Sequence, residues 1–200
     1  MSRIAIFGGT FNPVHNGHIN LCLECNRYFN FDKILLVPDN IPSHKSADDL
    51  VSNEHRFNML SIATRDEKLF KVCDIEYKLK GKSYTVNTIS ELKKIYPTDE
   101  LFLIIGSDML FMFEQWYAFK EILKSVTLVV GARQQDEYDA MLRHIGKFGK
   151  LSRNIEVVRI NVVDISSSDI RKKIKNGDDV SEYLNDGVLA YISKNKLYKK

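Results

Sequence analysis

Two histidines three positions apart close the segment Gly8-Gly9-Thr10-Phe11-Asn12-Pro13-Val14-His15-Asn16-Gly17-His18, which directly follows a short apolar run. At the start of a helix that spacing projects both imidazoles from one side. They would lie beside the unsatisfied N–H groups and the positive dipole end of the helix, which is an anion site. Three chemistries are open to such a pair. It could be a capped turn with two surface histidines. It could be part of a metal site, although helical zinc pairs come with further ligands. It could be a pair of phosphate ligands whose N–H groups stabilise charge on a phosphoryl group in transfer. The two glycines let a ligand come close to the backbone. No Lys-Ser/Thr pair closes the loop, and the third glycine of the dinucleotide fingerprint is missing, so neither of those phosphate-binding loops is present.

A second group of this kind comes late in the chain, at Ile165-Ser166-Ser167-Ser168-Asp169-Ile170-Arg171. Read plainly, it is a capped helix start with Asp169 suited to the first turn. Three hydroxyls and an arginine also make a second anion site, because a guanidinium offers phosphate two parallel N–H bonds. The loops between carry mixed signals. Pro38-Asp39-Asn40-Ile41-Pro42-Ser43-His44-Lys45 is a proline-bounded surface loop whose Lys45 is either solvated or a point charge for phosphate. Ser83-Tyr84-Thr85 is a helix start signal. Gly106-Ser107-Asp108 closes an apolar run and leads to Trp116-Tyr117, which contains the chain's one tryptophan. Phe111 and Phe113 read as core. A flat indole just past a strand suits stacking on an aromatic ligand. Val130-Gly131-Ala132-Arg133 ends another apolar run.

These residues need a frame that delivers them to one place. Apolar runs at residues 3–7, 33–38, 101–105, 125–130 and 155–160 read as buried strands. Ile19, Cys22 and Leu23 recur at helical spacing, as do Val86, Ile89 and Leu92, and further helices are expected over 168–175 and 187–194. Strands too apolar to have a wet face, alternating with helices, predict a parallel sheet covered on both sides. The expected fold is therefore α/β, a doubly wound (Rossmann-like) sheet in a single domain over residues 1–200. Ligands of such sheets bind beyond the carboxyl ends of the strands, where the groups above fall.

Charge narrows the partners. The formal net charge is +3, with 19 basic and 19 acidic side chains in residues 1–150 and 10 against 7 in residues 151–200. That balance excludes a strongly basic nucleic-acid coat and leaves room for a local basic site near the C-terminus. No apolar run approaches the roughly 18 residues that span a bilayer. The first residues also lack the longer apolar core of a secretory signal. Cys22, Cys25 and Cys73 are odd in number and scattered, which favours buried thiols over a redox or zinc half-site. The chain is expected to be cytoplasmic, without a nucleic-acid or membrane partner.

The pattern G-G-T-F-x-P-x-H-x-G-H after a first strand resembles the signature of the nucleotidyltransferases related to class I aminoacyl-tRNA synthetases. From Ile4 to Tyr198 the chain resembles the bacterial nicotinate-nucleotide adenylyltransferases, and its tail is similar to their Y-I…L-Y ending. The resemblance implies transfer of the adenylyl group of ATP to nicotinate mononucleotide, giving deamido-NAD and pyrophosphate, with Mg²⁺ carried by ATP and no metal ligands of the chain's own. It implies His15, His18 and Arg171 as catalytic residues. Gly8, Gly9, Thr10, Phe11, Gly106 and Asp108 are implied for ATP, together with Ser166, Ser167 and Ser168. His44, Lys45, Thr85, Trp116, Tyr117 and Arg133 are implied for the mononucleotide. The alternatives are an adenylyltransferase preferring nicotinamide mononucleotide and a non-catalytic nucleotide-binding sensor. Oligomeric state is left open, with a homodimer among the arrangements.

Overall fold

Strands that are apolar on both sides oblige the sheet to be covered twice. Strand β1 (Arg3–Gly9) sends Ala5 and Phe7 into one core and Ile4 and Ile6 into the other. The computed structural model describes residues 1–41, 50–79, 81–161 and 165–199. From β1 the chain runs through α1 (Asn16–Phe29), β2 (Lys33–Pro38), α2 (Asn53–Ala63) and β3 (Phe70–Val72). It continues as α3 (Ile75–Lys78), α4 (Thr85–Ile95), β4 (Glu100–Gly106), α5 (Ser107–Phe111) and α6 (Phe119–Ser125). Then come β5 (Thr127–Ala132), α7 (Gln135–Ile145), β6 (Ile155–Arg159), α8 (Ser167–Asn176) and α9 (Asp186–Lys194).

All the strand pairs are parallel, in the order β3-β2-β1-β4-β5-β6. This is the doubly wound sheet expected from the sequence. The chain builds outward from β1 to β3, then returns to the far side of β1 for β4. The direction of winding therefore reverses between β1 and β4. Loops leaving those two strands part company there and open a crevice at the carboxyl ends. Helices α1, α2, α8 and α9 cover one face through Cys22, Met59, Ile170 and Ile192. Helices α3 to α7 cover the other through Ile75, Ile89, Leu110, Ile122 and Met141. Among the described residues, no helix is long and apolar enough to cross a membrane.

Several details depart from the sequence expectation. β1 runs on to Gly9, and Ser125 ends α6 instead of opening a strand. β3 has only 3 residues, too few to show a period. The buried side of α2 presents Arg56 beside Met59 and Leu60, which interrupts the apolar repeat and hides the helix from a pattern search. Phe111, expected in the core, is 42% exposed, because it ends the short α5 and packs edge-on against His144 at 5.3 Å. Phe113 is fully buried, as expected. Cys22 and Cys25 are buried free thiols, and burial pushes the Cys25 pKa up to about 12.

Candidate active site

After Gly9 the chain turns through Thr10 to His15 before α1 begins. Phe11 adopts a left-handed backbone, with φ of +49°. A bulky residue stays in that region only where its surroundings compel it. Its ring meets Phe7 at 5.7 Å and the His18 imidazole at 5.1 Å, edge-on in both cases. Phe11 is 1% exposed, and its ring belongs to the core under the loop. The ring braces His18 from below.

The His15 and His18 rings lie 3.6 Å apart between centroids, inclined at 32°. The His15 backbone N–H donates to His18 Nδ1 at 3.2 Å. With Nδ1 accepting, the ring's donor is Nε2, which is turned away from the main chain. No acidic residue occupies the first turn of α1 to offset its dipole. The arrangement suits negatively charged oxygen.

Helix α8 docks onto the same loop. The Ser166 hydroxyl accepts the Asp169 N–H at 3.1 Å and donates to the Asp169 carboxylate. Those hydrogen bonds hold the exposed carboxyl below its usual pKa. Ser167 Oγ donates to the Pro13 carbonyl at 2.8 Å, and Arg171 Nη1 donates to the Asn12 carbonyl at 2.9 Å. The start of α8 is thus joined by direct bonds to the loop that leads into α1. Arg171 also reaches Ser168 Oγ at 3.4 Å, and its buried Nε–H has no hydrogen-bond partner among the described residues.

Sequence reasoning missed Arg56. Its side chain is 0% exposed and forms an ion pair with Asp39 at 2.9 Å. It also donates to the carbonyls of Thr10 and Asp39, at 2.9 Å and 2.6 Å, and to Asn53 Oδ1. Thr10 Oγ1 completes the cluster by donating to Asp39 at 2.9 Å. A buried charge is tolerable only when its donors are nearly all satisfied. Arg56 consequently locks the loop after β1 to the loop after β2. The signal available in the sequence was one charged residue on the i, i+3, i+4 face that Met59 and Leu60 bury.

Gly106 and Asp108 stand at the end of β4, across the crevice from β1. A Cβ at Gly106 would lie 2.7 Å from Asp108 Oδ1, so a side chain there would displace that carboxylate from the strand end. Thr85 opens α4, whose first turn also lacks an acidic residue. Tyr84 and the 64% exposed Tyr117 bring their rings to 4.9 Å, which unites the Ser-Tyr-Thr segment with the Trp-Tyr pair. Trp116 is half-buried against Phe113 at 5.1 Å. Beneath Thr85, the Thr88 hydroxyl donates to the buried Glu76 at 2.6 Å, and burial raises the Glu76 pKa. Arg133 is exposed just past the carboxyl end of β5, with its backbone N–H bound to Glu137. His44 and Lys45 lie outside the described residues. Among the described residues, no three His, Cys, Asp or Glu side chains converge to hold a metal ion.

The sequence pattern of the cytidylyltransferase-like family matches residues 6–173. A probable nicotinate-nucleotide adenylyltransferase of Borreliella burgdorferi is 41% identical over 199 residues, covering 99% of this chain and 97% of that one. Its counterpart in Lachnoclostridium phytofermentans is 33% identical, covering 99% of this chain and all of the relative. The chain belongs to the nicotinate-nucleotide adenylyltransferase family. Solved structures agree on the fold. The nicotinic acid mononucleotide adenylyltransferase of Plasmodium falciparum complexed with NaAD superposes with a TM-score of 0.79 at 21% identity, covering 99% of this chain and 98% of that one. A putative nicotinate-nucleotide adenylyltransferase from Vibrio parahaemolyticus gives 0.71 at 24% identity, covering 99% and 96%. The H-x-G-H loop, the switch-point crevice and the α8 start are thus features of a member of this adenylyltransferase family.

Proposed function

We propose that the chain joins ATP to nicotinate mononucleotide, giving deamido-NAD and releasing pyrophosphate. One observation carries the reading: α8 is bound to the H-x-G-H loop through Ser167–Pro13 and Arg171–Asn12, so the Arg171 guanidinium and the start of α8 are held against the loop that carries the two imidazoles. A phosphate oxygen of the mononucleotide attacks the α-phosphorus of ATP in line. The new P–O bond forms as the bond to the β-phosphate oxygen breaks, and pyrophosphate departs with that electron pair. No bond to the protein is needed, so alignment and charge stabilisation supply the acceleration.

In this reading His18 donates through Nε2 to the phosphoryl oxygens, with His15 beside it. Arg171 and the start of α8 at Ser166, Ser167 and Ser168 receive the polyphosphate, and Gly8, Gly9 and Thr10 line its approach. Gly106 and Asp108 hold the adenosine. Thr85, Trp116 and Tyr117 receive the pyridine ring, and His44, Lys45 and Arg133 its phosphate. Mg²⁺ travels with ATP and neutralises the triphosphate charge. The test is pyrophosphate release from ATP, Mg²⁺ and the mononucleotide, with product identified by chromatography. Nicotinamide mononucleotide is run alongside, and a higher kcat/KM for the acid is expected. ATP binding without turnover on either mononucleotide would sink the proposal and leave a sensor.

A further inference from the structure

The Leu197-Tyr198 tail has no part in the reaction as described so far, yet its tyrosine bonds to the loop that leads to the histidines. We propose that Tyr198 is a positioning residue for the transfer step, acting through Asn12 on Arg171; this rests on the adenylyl-transfer reading above. The tail returns to the core by a costly route. After α9 both Lys196 and Tyr198 adopt left-handed backbones, with φ of +53° and +61°. Non-glycine residues hold such conformations only where the surroundings impose them, and these outliers gather at functional sites. Leu197 N–H bonds back to the Ile192 carbonyl at 3.0 Å, and Tyr198 is left only 8% exposed in the core beneath the loop.

From there the Tyr198 hydroxyl donates to Asn12 Oδ1 at 2.9 Å, across 186 positions of chain. The same oxygen accepts the Val51 N–H at 3.3 Å. Asn12 is 5% exposed and flanked by the left-handed Phe11. With its side chain held in this way, its backbone carbonyl meets Arg171, and the next carbonyl, that of Pro13, meets Ser167. Asn12 therefore converts a bond made by the tail into the placement of the guanidinium. Burial also raises the Tyr198 pKa, so the hydroxyl stays a donor over the working pH range.

Tyr198→Phe tests this, because it keeps the ring and its packing and removes one donor. We expect kcat to fall about ten-fold, the scale of one lost hydrogen bond that leaves a buried acceptor underused, while KM for the mononucleotide stays within about two-fold. Folded fraction at the assay temperature is measured in parallel by circular dichroism. A purely structural tyrosine would lower activity only in proportion to that fraction, and this result would overturn the proposal. The route through Arg171 is tested in an Arg171→Lys background, where the same change should cost less than about two-fold. Additive losses would overturn that route, as would a Tyr198→Phe enzyme with wild-type kcat. A wild-type protein that releases no pyrophosphate would instead defeat the adenylyl-transfer reading itself, so the two failures are distinguishable.

Discussion

The Nδ1 atom of His18 accepts the backbone N–H of His15 at 3.2 Å, so the first histidine of the pair sets which ring nitrogen of the second is left to donate. Nε2 is then the donor that His18 can offer to an incoming oxygen. The Phe11 ring at 5.1 Å limits the tilt of the imidazole.

His18→Ala should lower kcat about 10²- to 10³-fold, as loss of a single preorganised donor to a transition state does. The melting temperature should change little, since the half-buried ring carries little of the core. Steady-state pyrophosphate release and a thermal melt together check both statements.

Arg56→Met should destabilise the protein by about 3 kcal/mol, measured by urea unfolding. Removing the arginine leaves the Asp39 carboxylate and the Thr10 carbonyl with buried, unmet demands. The low end of the range for broken buried pairs applies because the Asp39 side chain keeps 17% exposure.

Glu76 gives a pH prediction. Burial raises its folded pKa above the ordinary carboxylate value of about 4.3, so between those two values the native state binds more protons than the unfolded chain. Its contribution to stability is therefore greatest below the ordinary value and declines as pH rises through the window. Glu76→Gln, which keeps an oxygen to accept from Thr88, should flatten that decline and raise the melting temperature at pH 7 to 8. A melting series from pH 4 to 8 on both proteins is the check, and parallel curves would refute it.

Tyr117→Ala should raise KM for the mononucleotide about five- to ten-fold, with a smaller fall in kcat. Its ring is 64% exposed and touches Tyr84 at 4.9 Å, so its removal exposes the proposed pyridine site without opening the core. Initial-rate curves against mononucleotide at saturating ATP decide it.

Thiol labelling should separate the cysteines. Cys22 and Cys25 are fully buried, and their pKa values are raised by burial, so native protein at pH 8 should release no more than one equivalent in a thiol assay. Three equivalents should appear in denaturant.

The parallel sheet was legible because Ile4 to Phe7, Ile34 to Val37 and Leu101 to Ile105 are apolar without interruption, which only a doubly covered sheet accepts. The helix starts at His15 and Ser166 were legible because capping and anion binding need particular residue types at particular offsets. What stayed hidden depends on distance along the chain. Arg56 looks like a surface arginine until Asp39 and Thr10 fold against it. Asn12 looks like a turn residue until Tyr198 arrives from the far end. Phe111 was misplaced because periodicity does not say where a helix as short as α5 stops.

The two separate cores give the sheet a further property. On the proposed assignment, the donors to phosphate stand on α1 and α8 over one core, while the groups around the pyridine ring stand on α4 and the Trp116 turn over the other. The polyphosphate of ATP and the pyridine ring of the acceptor are then gripped by different layers, with strands β1 and β4 between them. The spacing between the two substrates would be set by a ruler made of backbone. Cavities cut beneath either layer, far from any reacting atom, should slacken that ruler and slow the reaction more than they weaken binding.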